Sequence, residues 1–172
     1  MRNLGIFILT MVAIFATGCH RNNDYYDRYD RYNERDRYDR YHRYEDQRQV
    51  GDKYVLLEEH NRIRNDRDAK PLQMDRRLEE AAKAHVEWMA RNEKLSHTGE
   101  DESTVYKRVG SGYQSLAENI AYGYRGEREV MQAWMDSYGH RKNIINQDLK
   151  YIGFGVATSK DGTVYWCAVF GA

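Results

Sequence analysis

The stretch YIGFGVATSKDGTVYWCAVFG, residues 151–171, decides the fold. Two runs rich in β-branched and aromatic residues flank Lys160-Asp161-Gly162. Asp-Gly between such runs is a hairpin signal, because the turn needs residues that tolerate positive φ. Upstream the apolar period changes from two to that of a helix. Leu78, Ala81, Ala82, His85, Trp88 and Met89 form one stripe at helical spacing, and Asp75 stands where an N-cap belongs. That helix is expected to run to Asn92. An earlier one, Tyr54 to Asp66, carries its apolar residues in a charged frame and is ended by Lys70-Pro71-Leu72. A third holds Val130, Met131, Trp134 and Met135, and a further strand is expected from Leu116 to Tyr122. Trp88 and Trp134 are the large core residues this pattern implies. Helices followed by a hairpin on an antiparallel sheet predict an α+β domain, and residues 51–172 are long enough to enclose one core.

The first 50 residues differ in composition. Arg2 followed by the apolar run Leu4 to Ala16 has the layout of a secretory signal, too short to span a bilayer comfortably. It ends in Ala16-Thr17-Gly18-Cys19, which looks like a lipobox, with Cys19 as the thiol that carries the lipid; Ala16 stands where a bulkier aliphatic residue is usual. Several tens of buried methylenes at roughly 0.8 kcal/mol each would anchor the mature chain stably to the envelope. Residues 1–19 therefore read as a lipoprotein signal peptide and residues 20–50 as a disordered spacer. From Asp27 the spacer runs DRY, DRY, NER, DRY, DRY, HRY, with no aliphatic residue before Val50. Such a segment cannot build a core. In a polyproline-II-like conformation its period of three would place the tyrosines on one face, suited to stacking on sugar rings. Basic and acidic residues balance over the chain, with a formal net charge of +0. That disfavours nucleic acid as a partner.

Beyond Cys19 a single thiol remains, Cys167, so no internal disulfide can form and the core alone must hold the fold. At strand alternation Cys167 reads as a small core residue.

Candidate chemistry gathers in three segments: SHTG around His97, AENIAYG around Glu118 and GHRKNI around His140. Two imidazoles and a carboxylate, each beside glycine or small residues, can form one polar site. Such a set can hold a zinc ion with an open position, act as acid and base, or simply bond loops together. The histidines lie 43 residues apart, so spacing alone defines no ligand motif, and HExxH is absent. His85, on the helical stripe, reads as a core or cleft-wall residue and His60 as structural. No serine has nucleophile-elbow context; Ser111 sits in an isolated GSG.

Taken in order, HNRIRN, KPLQMDRRLEEAAKAHVEWMA, SHTG, AENIAYG, WMDSYGHRKNI and IGFGVA…YWCAVFG resemble the bacterial form of the CAP superfamily, the SCP-like or pathogenesis-related-1-like domain. The resemblance spans residues 51–172. It implies a three-layer α-β-α sandwich with a central antiparallel sheet and a large open cleft. It also implies that His97, Glu118 and His140 line that cleft, with a second acidic residue after the tryptophan of the third helix. Asp136 lies nearest to that fourth place but is offset by one, and Ser137 takes the aligned position.

Three functions compete. The leading one is an envelope-anchored binding module, exported and held at the outer membrane or cell surface, whose ligand is a lipid, a cell-wall fragment or a protein. The alternatives are a metal-assisted hydrolase of peptide or glycan bonds, which would need His97, Glu118 and His140 as its catalytic set, and a structural tether between membrane and wall.

Overall fold

A computed structural model describes residues 51–172; the signal-like segment, Cys19 and the tyrosine repeat lie outside the described residues. Aspartates start both long helices. Asp52 accepts from Tyr54 N at 2.8 Å to open α1, Lys53–Asn65. Asp75 accepts from Arg77 N at 2.8 Å and Leu78 N at 3.1 Å to open α2, Arg76–Arg91. Each satisfies helix-start N–H groups that have no partner within the helix. Between them lies the two-residue strand β1, Gln73–Met74. After α2 come a 3-10 turn at Glu100–Glu102, the short helix α3, Val105–Val109, and strand β2, Leu116–Tyr122. Helices α4, Glu127–Asp136, and α5, Tyr138–Ile144, lead to the hairpin of β3, Tyr151–Thr158, and β4, Val164–Gly171.

The sheet order is β1-β3-β4-β2. The hairpin has the expected antiparallel register, with Thr158 opposite Val164 beside the turn, and β2 pairs antiparallel with the other edge of β4. β1 runs parallel to β3, pairing Gln73 with Tyr151 and Met74 with Ile152, so the sheet is mixed and not purely antiparallel. A parallel neighbour requires a long crossover, which the helices and β2 between the two strands supply.

Period-two alternation divides β4 between two cores. Trp166, Ala168 and Phe170 join Trp134, Ile152 and Phe154 in a core shared with α1, α4 and α5. Tyr165, Cys167 and Val169 join Leu78, Ala82, Val86 and Met89 of α2 in the other. Helices therefore cover both faces of the sheet, giving three layers. Alternation also explains two glycines. A Cβ on Gly153 would lie 2.0 Å from Glu79 N, and one on Gly155 would lie 2.5 Å from the Ala82 carbonyl. With no side chain there, the backbone of α2 lies directly on β3.

Trp134 is fully buried, as its stripe predicts. Trp88 departs from that expectation: it is only half-buried, with its ring stacked on His85 at a centroid distance of 5.9 Å. Its neighbours Val86, Met89 and Ala90 stay buried, so Trp88 lies at the margin of the stripe.

One buried charge ties the second layer together. Arg64, fully buried at the end of α1, donates to the carbonyls of Lys70 at 2.7 Å, Ile144 and Asn146 at 2.8 Å and Leu149 at 3.1 Å. The planar guanidinium serves four acceptors, one in the loop after α1 and three at the end of α5 and in the loop that follows it.

Candidate functional site

Glu118 sits midway along β2, with its side chain turned to the α2 face between Leu116 and Ile120. Its carboxylate is almost fully buried. Burial pushes its pKa up, but His97, Arg108 and His85 outweigh that effect and hold it below the usual carboxylate range. Glu118 is therefore ionised at neutral pH.

Both oxygens are engaged. Oε1 accepts from His97 Nδ1 at 2.9 Å, and His85 Nε2 lies 3.9 Å away. Oε2 pairs with Arg108 Nη2 and takes the Cys167 thiol at 3.7 Å. Arg108, from α3, is itself nearly buried, and its Nη1 donates to Ser103 O at 2.6 Å and His97 O at 3.2 Å. The guanidinium thus balances the buried carboxylate and fixes the loop that carries His97.

The His97 side chain is 61% exposed, so it forms the solvent side of this cluster. His140, on α5, is half-buried, and burial together with the nearby His97 lowers its pKa. Two asparagines attach α5 to β2: Asn119 Nδ2 donates to the His140 carbonyl at 3.1 Å, and Asn143 Nδ2 donates to Asn119 Oδ1 at 2.8 Å. The structure therefore joins His97 to Glu118 on the edge strand β2 and places His140 near enough to His97 to feel its charge.

Asp136 does not join them. It is exposed on α4, and its Oδ1 accepts from Gln132 Nε2 at 2.9 Å, one helical turn back along the same helix. The one-residue offset turns it about 100° away from the aligned position.

The two remaining described histidines are buried, each with one ring nitrogen bonded, while His85 Nδ1 and His60 Nε2 have no hydrogen-bond partner. His85 is buried and donates from Nε2 to the Ser96 carbonyl at 2.8 Å; burial lowers its pKa. Gly99 of SHTG lies over this ring, where a Cβ would come within 3.0 Å of His85 Nδ1. His60 donates from Nδ1 to the Leu56 carbonyl at 2.7 Å and is enclosed by Trp134, Phe154 and Phe170. Burial pushes the Cys167 thiol well above its ordinary range, and Glu118 pushes it further, so it is held as the neutral thiol.

The chain matches the family model CAP, the cysteine-rich secretory protein family, over residues 57–170. It is a CAP-family protein. Among relatives, it is 36% identical over 107 residues to the uncharacterized protein YkwD of Bacillus subtilis, covering 60% of this chain and 42% of that protein. It is 33% identical over 111 residues to the uncharacterized membrane protein YlbC of the same organism, covering 63% of this chain and 32% of that one. The chain thus spans less than half the length of either relative. Among solved structures, an outer surface protein of Borrelia burgdorferi superposes with a TM-score of 0.64 at 25% identity, over 69% of this chain and 90% of that one. An extracellular SCP-domain protein of Bacillus anthracis gives 0.59 at 27% identity, over 69% and 39%.

The metal reading that the sequence allowed is constrained at Glu118 in this CAP domain. A metal at Glu118 would have to displace His97 Nδ1 from one oxygen or Arg108 from the other, and would then face the Arg108 cation. Among the described residues, no three His, Cys, Asp or Glu side chains converge as metal ligands do.

Proposed function

We propose that this protein is an exported, lipid-anchored binding module whose cleft receives a cell-envelope ligand at His97 and His140. The supporting observation is the state of Glu118. Its charge is already balanced by Arg108 and its oxygens are already occupied, so it orients His97 and is not itself available as a base. The one thiol among the described residues, Cys167, is buried and bonds to Glu118 Oε2, on the inner side of the carboxylate–imidazole pair. What remains at the mouth is an exposed, oriented imidazole with His140 beside it, which is recognition chemistry. The extracellular and outer-surface solved relatives support the location, and the lipobox-like Ala16-Thr17-Gly18-Cys19 supports the anchor. No helix of the described residues is long and apolar enough to cross a membrane. The spacer, residues 20–50, then gives the domain reach from the lipid.

The oriented His97–Glu118 pair also has the form of a general base acting on water, which keeps hydrolysis as the second reading. One experiment separates the two. Soluble peptidoglycan fragments are titrated into wild-type protein and into His97→Ala and Glu118→Gln, with product analysis on the same samples. Binding that weakens tenfold or more in His97→Ala, a loss of at least about 1.4 kcal/mol, is expected, without turnover. Turnover that disappears in Glu118→Gln while the fold is retained would instead establish the hydrolase.

A further inference from the structure

We infer that the cleft along the outer edge of β2 is a track for a neutral glycan chain, with Tyr106 and Tyr122 as stacking platforms at its two ends and His97 between them. The inference rests on the binding reading above and names the class of ligand: linked sugar rings, not a peptide or a lipid tail.

Tyr106 is 57% and Tyr122 54% exposed, yet neither ring is free. Tyr122 stacks on the buried Tyr165 at a centroid distance of 5.8 Å and an interplanar angle of 22°, which leaves its other face to solvent. The Tyr106 hydroxyl lies 3.4 Å from both the nitrogen and the carbonyl oxygen of Leu116, tying its ring to the first residue of β2. A ring already fixed in place loses little entropy when a ligand stacks on it. Alternation puts Tyr122 on the same face of β2 as Glu118, whose carboxylate holds His97. The three groups therefore follow β2 in order: Tyr106 at Leu116, His97 at Glu118, and Tyr122 at the far end. They extend over roughly 20 Å, at about 3.3 Å per residue. A sequence of apolar ring, polar side chain and apolar ring suits a chain whose units each offer a flat C–H face and a rim of hydroxyls. A lipid tail needs an unbroken apolar groove. A peptide would add to the outer edge of the sheet as a further strand, but three outward carbonyls of β2 are already taken. Leu116 O is held by Tyr106, Glu118 O by Asn143 Nδ2 at 3.4 Å, and Ile120 O by Trp134 Nε1 at 3.4 Å. Arg108 is paired with Glu118, so the charges beneath the track are balanced and favour an uncharged polymer.

The test titrates soluble N-acetylglucosamine oligomers of two, four and six rings into the full chain by calorimetry. Affinity is expected to rise from the dimer to the hexamer, because only the longer chains span both tyrosines. Tyr106→Ala and Tyr122→Ala are each expected to weaken hexamer binding by at least about tenfold and to flatten that rise. Tyr54→Ala removes a tyrosine no less exposed, at the start of α1, and is expected to leave hexamer binding unchanged. Tyr122→Trp keeps a ring against Tyr165 and covers the case in which the alanine variant does not fold; it is expected to retain the hexamer. Equal affinity for dimer and hexamer, tyrosine variants that bind the hexamer as wild type does, or binding of a peptidoglycan stem peptide in place of the oligomers would overturn the inference. Each of these leaves the binding reading standing if peptidoglycan fragments still bind and His97→Ala still weakens them. Conversely, hexamer binding that is lost in the tyrosine variants but indifferent to His97→Ala supports the glycan track and sinks the reading that places recognition at His97.

Discussion

Replacement of Arg64 by methionine is expected to lower unfolding stability by at least about 3 kcal/mol. Methionine fills part of the volume but donates nothing, so the carbonyls of Lys70, Ile144, Asn146 and Leu149 lose their shared partner inside the protein. Each buried acceptor left unsatisfied costs on the order of 1–3 kcal/mol, reduced where a loop can turn its carbonyl to water. Lysine should rescue little. Its ammonium is a point charge that cannot reproduce the planar fork reaching two loops at once. Urea unfolding of both variants checks this. A midpoint within error of wild type for Arg64→Met would show that the two loops are held by other means.

The second large effect is acid sensitivity from His60. Its ring is fully buried among Trp134, Phe154 and Phe170, and burial pushes its pKa down to about 4. In the unfolded chain the same imidazole titrates near 6.5. Between those values the unfolded state binds a proton that the folded state refuses, so stability rises with pH across that window. From about pH 6.5 down to about 4, His60 should therefore remove on the order of 3 kcal/mol, with the slope vanishing below its folded pKa. His60→Leu removes the titration. The measurement is unfolding free energy against pH for both proteins. The difference between the curves should grow steadily toward pH 7 in favour of wild type, and parallel curves would show that His60 is protonated, or hydrated, in the folded state.

The sequence makes some of this architecture plain and hides other parts for definite physical reasons. The hairpin, β2 and the long helices are legible because each repeats its period over enough residues. The short helices α3 and α5, five and seven residues long, complete too few turns to show one. Strand β1 has only two residues and takes its pairing entirely from β3. His97, Glu118 and His140 stand out because each sits beside glycine or small residues in an otherwise charged chain. Arg108 does not, since in YKRVGSG it resembles any surface arginine; only the folded backbone brings it to Glu118. Asn119 and Asn143, which attach α5 to β2, are equally silent, although both lie inside the segments that carry Glu118 and His140. Arg64 reads as one more charge in the charged frame of α1, and only its burial distinguishes it. Asp136 and Trp88 show the converse error, in which a side chain of the right type sits at the wrong angle or the wrong depth.

The central claim is that this cleft recognises an envelope molecule through His97, an imidazole oriented by the buried Glu118. The most direct measurement is elemental and mass analysis of the full-length protein purified natively from the membrane fraction. The account predicts an envelope-derived molecule that co-purifies with wild type and is lost from His97→Ala. One tightly held metal ion per chain, lost in His97→Ala and His140→Ala, with no retained envelope molecule, would contradict it.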